Sequence, residues 1–320
     1  ALMDVDAVQL IHAEQPDQLA DAHGLNAMNA AAAVTVFKHL SGQTTHLTQL
    51  ANFPGMRRRQ SILLQRDSLC VIEDYAHHPT EISALLTHLR QQYAEYELIA
   101  IFQAHRPSRT LQFKDAFAHS LASVDRLYLL PLYTAFESGE PDSAMDALLH
   151  ACADSGTSIL SPDLAGVRTL TAQLQQEKKQ LYVFIGAGNL DDFARLFTAW
   201  VQSQGDPQES WKLSLQDSVS PDCKLANATP LANKTTMRIG GPAAYYAEPA
   251  NLTDLRALID NAKGMQLPVF CLGRGSNLLV SDQGFDGLVI RLAHPYWQSV
   301  YSLDADRIWV GAGLRLKALC

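Results

Sequence analysis

Twice in close succession this chain runs from a short apolar stretch into a polar loop and then into helical spacing. Leu69-Cys70-Val71-Ile72 leads into Glu73-Asp74-Tyr75-Ala76-His77-His78-Pro79-Thr80-Glu81. One unit later, Leu98-Ile99-Ala100-Ile101-Phe102 leads into Gln103-Ala104-His105-Arg106-Pro107-Ser108-Arg109-Thr110. Strand, loop, helix, repeated, is the pattern of a parallel sheet whose loops gather at the carboxyl ends of its strands. Ligands bind at that edge in open α/β sheets. Two loops there that carry histidines, arginines and acids make a candidate site for an anionic substrate.

The alternation extends from Arg59 to about residue 204. It predicts further strands at about 126–130 and 181–185, and helices at about 110–122, 142–153, 163–178 and 190–203. Pro79 suits the first position of a helix, where a missing amide costs nothing, and Glu81 suits the positive helix end. The region 54–204 therefore reads as one doubly wound domain. Before it, residues 1–53 hold a strand candidate at Val8–Ile11, a cap candidate at Asn26 and an alanine-rich helix over 27–40, with Pro54-Gly55 as the boundary turn. Residues 205–233 are rich in Gly, Asp, Pro, Ser and Gln and read as a linker. From 234 to 320 the reading changes to α+β: strands at about 243–248, 268–272, 278–280, 287–292 and 307–311, with one helix at 252–263.

A net charge of -8 argues against a general nucleic-acid binder or a membrane-surface protein, both of which need a basic face. No apolar run approaches the roughly 18 residues of a membrane span. The cysteines Cys70, Cys152, Cys223, Cys271 and Cys320 are scattered and odd in number, which suggests a reducing compartment with no disulfide framework, and cytoplasm is the expected location. Nothing in the sequence speaks to oligomeric state. The start at Ala1 and the stop at Cys320, inside what reads as the beginning of a helix, suggest a fragment.

Guanidinium groups grip phosphate or carboxylate bidentately, and placing Arg106 and Arg109 with His105 at a strand-to-helix loop adds the positive end of the following helix. Asp74 and Glu81 could orient the histidines, and Tyr75 adds a donor and a flat face. A solvated basic loop with local ion pairs explains the same spacing. His77-His78 lack a third ligand at a familiar interval, so no metal site is assigned.

EDYAHHPTEI, FQAHRPSRT, FPGMRRR and IGAGN, in that order, resemble the carboxy-terminal domain of the Mur ligases, and among them the alanine-adding members. The resemblance covers about residues 20–203. It implies ATP- and magnesium-dependent formation of an acyl phosphate on the carboxylate of a UDP-sugar, UDP-N-acetylmuramate, which the amine of L-alanine then attacks. By position, Tyr75, His105, Arg106 and Arg109 would meet the amino acid and the acyl phosphate, and Asp74, His77 and His78 would shape the same cleft. Arg59 would help to hold ATP. GLNAMNAAAAV resembles the end of the family's central ATP-binding domain, so Asn26 and Asn29 would face the adenine. Leu25 stands where the family has histidine, and Gln60 and Ala104 replace Phe and Pro.

A second constellation, Leu272-Gly273-Arg274-Gly275-Ser276-Asn277-Leu278, follows an apolar strand. Glycines there let backbone amides approach a pyrophosphate, and Ser276 and Asn277 add donors. A tight turn accounts for the loop equally well. NKTTMRIGGPAAYYAEP lies upstream of it, and GFDGLVI and VGAG lie downstream. The set resembles the FAD-binding domain of the UDP-N-acetylenolpyruvoylglucosamine reductases, in the vanillyl-alcohol-oxidase-type flavin fold, over about residues 228–320. It implies FAD as cofactor and NADPH as reductant. Gly273, Arg274, Gly275, Ser276, Asn277 and Leu278 would cradle the pyrophosphate. Gly287, Val289 and Ile290 would line the flavin, and Gly311, Ala312 and Gly313 would lie by the nucleotide.

Together the two resemblances imply two steps of peptidoglycan precursor synthesis in one polypeptide. Two other readings fit the same residues: a different Mur-type ligase joined to a flavin oxidoreductase, or a remnant that binds nucleotides without turnover. No GxxxxGK[ST] phosphate loop occurs in 1–320. The 320-residue chain alone is therefore expected to be inactive. An assay with ATP, UDP-N-acetylmuramate and L-alanine is expected to give no ADP, and substrate-dependent ADP release would refute that expectation.

Overall fold

The computed structural model describes residues 35–41, 57–137, 140–153, 156–175 and 177–318. Asn26, Asn29, the Val8–Ile11 strand and Pro54-Gly55 lie outside these residues; residues 35–41 are helical, within the alanine-rich stretch. The first sheet contains β1 (Ser61–Gln65), β2 (Leu69–Asp74), β3 (Glu97–His105), β4 (Arg126–Tyr133), β5 (Ser158–Ile159) and β6 (Gln180–Ile185). Their spatial order is β1-β2-β6-β3-β4-β5. All neighbours run parallel except β1, which is antiparallel to β2.

The strands read as unbroken apolar runs because both faces are covered. Helices α1 (Pro79–Gln92), α2 (Pro107–Leu121) and α3 (Pro141–Ala151) pack over Cys70, Ile72, Ala100, Phe102, Leu129 and Val183. On the other face, α4 (Leu164–Thr171) and α5 (Leu190–Gln202) cover Val71, Ile99, Ile101, Tyr182 and Phe184. Because β6 inserts between β2 and β3, register aligns Asp74 with Ile185 and Ile185 with Phe102. Three loops therefore leave the sheet at one height, at the point where the strand order reverses.

The second half contains β7 (Lys224–Pro230), β8 (Pro242–Glu248), α7 (Leu252–Gly264), β9 (Val269–Cys271) and β10 (Phe285–Ile290), followed by a hairpin of β11 (Val300–Ser302) and β12 (Ile308–Val310). Its sheet has the order β7-β8-β10-β9, with β8, β10 and β9 parallel. Residues 278–280, expected as a strand, are irregular. The helix expected over 163–178 stops at Thr171.

The segment 205–233, expected as a linker, is structured. Asp206 caps a helix, α6 (Pro207–Leu215), by accepting from the Glu209 amide at 2.8 Å, and Pro207 occupies the first helical position. The helix buries Trp211 and Leu215 completely. Asp254, itself buried, then fixes the chain beyond α6 by accepting from the amide and hydroxyl of Ser220, both at 2.8 Å. β7 follows and pairs with β8. A composition of polar residues and turn formers concealed a capped helix whose two large apolar residues, Trp211 and Leu215, join the core.

Removing that cap tests the account of α6. Asp206→Ala is expected to cost about 1 kcal/mol, read as a shift of the urea midpoint without a change in slope.

Candidate functional site

The β2–α1 loop is built by its own backbone needs. Asp74 ends β2 and is almost fully buried; its carboxylate accepts from the amides of Ala76 at 2.7 Å and Gln60 at 2.9 Å. Burial pushes the Asp74 carboxyl up from its ordinary range, against the pull of those two amides and of Arg59. His78 caps α1 by accepting the Thr80 amide on Nδ1 at 3.5 Å. Glu81 reaches back to accept the amides of His77 at 3.0 Å and His78 at 3.3 Å, which completes a capping box with Pro79 at the first helical position. These contacts hold Glu81 below the usual carboxylate range even though its partial burial opposes them. The Nδ1 of His77 lies 3.0 Å from the Tyr75 carbonyl, which can only accept, so that nitrogen carries the hydrogen. Asp74 and His78 thus brace the loop, while the ring of His77 turns toward His105 at 5.9 Å.

Arg58 ties three strands' worth of loop together. Its Nη2 donates to the Gly186 carbonyl at 2.8 Å, and its Nε makes a 2.9 Å charge contact with Glu73 that lacks hydrogen-bond geometry. Nη1 lies 3.8 Å from Asp191 at the start of α5. Glu73 is buried, and burial followed by repulsion from Asp191 raises its carboxyl while Arg58 draws it down. Both Arg58 and Arg59 stack over the Tyr75 ring, at 4.9 and 5.5 Å. The sequence marked Arg58 and Arg59 together as guanidiniums at the domain entry, and the resemblance gave ATP to Arg59, without saying which of the two turns inward.

The β3–α2 loop faces this assembly. His105 stacks on Tyr133 with ring centroids 5.5 Å apart, and Arg106 sits at the helix cap with φ 72°. That left-handed backbone lets the Arg106 amide donate to the Tyr133 carbonyl at 2.9 Å while its own carbonyl accepts from the amide and hydroxyl of Thr110. The Arg106 guanidinium is left exposed. Half-buried Arg109 has a buried Nη1 with no partner, and the buried Nδ1 of His105 is likewise unpaired. Such atoms are costly to leave unpaired, and they point to a ligand that pairs with them. Burial, then Arg109, His77 and Arg106, lower the His105 pKa, with Glu137 opposing. Glu137, beyond β4, accepts from the Ser108 amide at 3.2 Å and its hydroxyl at 2.6 Å, so a carboxylate already occupies the exposed side of the α2 N-terminus.

Gln103 and the Gly186–Gly188 turn form the floor. Gln103 is 3% exposed and donates to the Pro131 carbonyl and to Asn189. Any side chain at Gly188 would overlap the Gln103 amide and the Tyr133 ring, and Gly186 has φ +155° with no room for a Cβ beside the Gln103 carbonyl. The IGAGN turn is thus a packing requirement beneath the cleft. Gln60 and Ala104, which depart from the expected pattern, hold positions that suit them: Gln60 contributes a backbone amide to Asp74, and Ala104 is buried.

In the second half, Gly273, Arg274, Ser276 and Asn277 are exposed beyond β9, and Gly275 is buried. Gly275 has φ +63°, and a Cβ there would lie 2.8 Å from the Lys234 carbonyl, while at Gly273 it would meet nothing within 4 Å. The open cradle at Gly273 fits a pyrophosphate drawn close to the backbone, and the residues therefore suit FAD. Leu278 is half-buried against Leu272 and Val289. Gly287, Val289 and Ile290 are buried in β10. Gly311 and Gly313 abut the Trp297 backbone, with Ala312 exposed between them. No group of three or more His, Cys, Asp or Glu side chains among the described residues is placed to hold a metal ion.

Residues 57–190 match the family model for the Mur ligase, glutamate ligase domain, and residues 243–320 match that for an FAD binding domain. The chain thus carries these two domains in series. It is similar to the UDP-N-acetylmuramate--L-alanine ligase of Christiangramia forsetii, with 32% identity over 52% of this chain and 36% of that protein. The ligase of the same name from Acidithiobacillus ferrooxidans is 35% identical over 57% of this chain and 39% of its own length. Among solved structures, UDP-N-acetylmuramate-alanine ligase from Thermotoga maritima aligns with a TM-score of 0.44 and 26% identity, covering 57% of this chain and 39% of that one. The chain spans less than two-fifths of the length of the two curated relatives.

The lowered His105 pKa gives a direct test. Its neutral form is favoured in the fold, so stability rises with pH from the folded pKa up to the ordinary value of about 6.5, and this contribution is lost as pH falls through the folded pKa. A side-chain NMR titration is expected to place His105 below about 6.5. Arg109→Gln is expected to move it upward; an unmoved titration would contradict the assigned repulsion.

Proposed function

We propose that the first half is the amino-acid-binding part of an ATP-dependent amide ligase that joins L-alanine to UDP-N-acetylmuramate. The unpaired Arg109 Nη1 and His105 Nδ1, beside exposed Arg106 and the α2 N-terminus, carry this reading. A carboxylate or acyl phosphate supplies the acceptor oxygens that those groups lack, and the guanidinium of Arg109 offers two parallel donors to it. His105, held toward its neutral form, is suited to take a proton from an attacking ammonium rather than to add another cation. Tyr75, under its two arginines, and His77 close the other wall, while Asp74 and His78 hold the loop that presents them. Arg59 is the described residue suited to reach ATP, which with magnesium supplies the phosphoryl group when bound. The identity to alanine-adding relatives supports alanine over other amino acids.

The second half is, on this proposal, the FAD-binding part of a UDP-N-acetylenolpyruvoylglucosamine reductase that takes its electrons from NADPH. Bound FAD supplies the hydride chemistry; the chain's own part is to seat the diphosphate on Gly273–Asn277. The two halves then belong to consecutive steps of peptidoglycan precursor synthesis in the cytoplasm, within a longer polypeptide.

Two titrations test the proposal. With UDP-N-acetylmuramoyl-L-alanine, the NMR signals of His105 and Ser108 are expected to shift, more than with a D-glutamate-terminated analogue. Arg109→Gln is expected to weaken the response at least about tenfold, a loss of about 1.4 kcal/mol. No response at these residues, or one that Arg109→Gln leaves intact, would exclude the cleft. For the flavin half, Gly273→Val is expected to leave the unfolding midpoint unchanged, because its Cβ meets open space, yet to abolish the protein-induced change in the absorbance spectrum of added FAD. Retained FAD binding in that variant would remove the loop from the cofactor site.

A further inference from the structure

We infer that the two halves are a single cooperative folding unit with α6 as its keystone, so that no hinge separates the anion cleft from the flavin loop. One contiguous cluster of buried apolar side chains runs from Val71, Ile99 and Phe184 in the first sheet, through Leu196 and Phe197 of α5, to Trp211 and Leu215 of α6. It continues without a break into Leu258, Ala262 and Met265 of α7 and Tyr245, Ala247 and Leu288 of the second sheet. Trp211 is fully buried and meets the Tyr245 ring edge-on at 5.3 Å. The same seam is stitched by polar contacts. Asn261 of α7 donates to the Ser214 hydroxyl of α6 at 2.7 Å, and Gln266 donates to Asp163, the cap of α4, at 3.0 Å. Gly264, at the end of α7, lies beside α5: a Cβ there would make an ordinary van der Waals contact with Leu196 at 3.5 Å.

Domains joined by a tether have their own cores and a polar, modest interface, and move relative to one another. Here the residues that would form that interface are as buried as the cores on either side, and the connecting segment is itself a helix inside the seam. Opening one half strips the apolar cover from the other, and interiors packed this densely do not deform gradually. A ligand held by either half therefore protects both.

Native-state hydrogen exchange of the whole chain across a denaturant series tests this. The amides of β3 and β6 in the first sheet and of β8 and β10 in the second are expected to open at one common midpoint. Leu148→Ala, on α3 at the far face of the first sheet, removes a fully buried side chain that belongs to the other core cluster. It is expected to raise the opening constants of all four strands together, by about a hundredfold. Trp211→Phe, which keeps the apolar body and removes an indole N–H that has no partner, is expected to preserve the common midpoint. Separate midpoints for the two sheets in the unaltered chain would overturn the inference, as would a Leu148→Ala effect confined to β3 and β6.

Discussion

Both faces of the first sheet are dry, and the site follows from that. With helices over each side, a strand residue can be polar only where it leaves the layer, so β3 and β6 open on Glu97 and Gln180 at the amino edge, and the acids of β2 and the histidine of β3 stand at the carboxyl edge. Glu73 and Asp74 sit at that edge, still buried, and each needs compensation on the spot. Asp74 finds it in two backbone amides. Glu73 finds it in Arg58, which also holds the Gly186 carbonyl and so fixes the β6 loop against the β2 loop. The strand-order reversal at β6 makes these loops neighbours in the first place.

The chemistry of the cleft is the residue left after this structural accounting. Asp74, His78 and Glu81 are fully engaged in shaping the β2–α1 turn, and Arg58 in bracing it. Apart from Arg58 Nε and Glu73 Oε1, which face each other as an ion pair, and Gln103 Oε1 in the floor, the buried atoms with unmet capacity around the cleft are on the opposite wall: Arg109 Nη1 and His105 Nδ1. Loss of water, and after it repulsion from Arg109, favours the neutral imidazole at His105. Glu137 covers the outer side of the α2 N-terminus without reaching these inner donors. An anion that enters the cleft thus meets positive charge whose internal neutralisation is incomplete.

Much of this was legible in the sequence because each signal was local. Apolar runs followed by loop and helical spacing located β2, β3, β4 and β6, and Pro79 stands at the expected first helical position, whereas α2 starts at Pro107, ahead of the expected 110. The glycines of the 273–275 loop also fitted a tight turn, and at Gly275 the φ of +63° and a Cβ only 2.8 Å from the Lys234 carbonyl require one. Three things were not legible. The separation of His78 from His105, one a cap and the other with an unpaired ring nitrogen, depends on which ring nitrogen meets which amide. β1 is a half-exposed edge strand whose pairing is set by β2 rather than by its own pattern. Helix α6 left a trace in Asp206-Pro207 with Glu209 at the third helical position, a capping pattern outweighed by the polar composition around it. What makes that helix stable is distant in sequence: Tyr245 and the α7 face that close over Trp211.

The central claim is that the inner donors of the β3–α2 loop receive the carboxyl end of an amino-acid product. A co-crystal structure with UDP-N-acetylmuramoyl-L-alanine measures this most directly. The account predicts the alanine carboxylate within about 3 Å of Arg109 Nη1, with His105 Nδ1 also paired to the ligand. A ligand bound elsewhere, with both atoms still unpartnered, would contradict it.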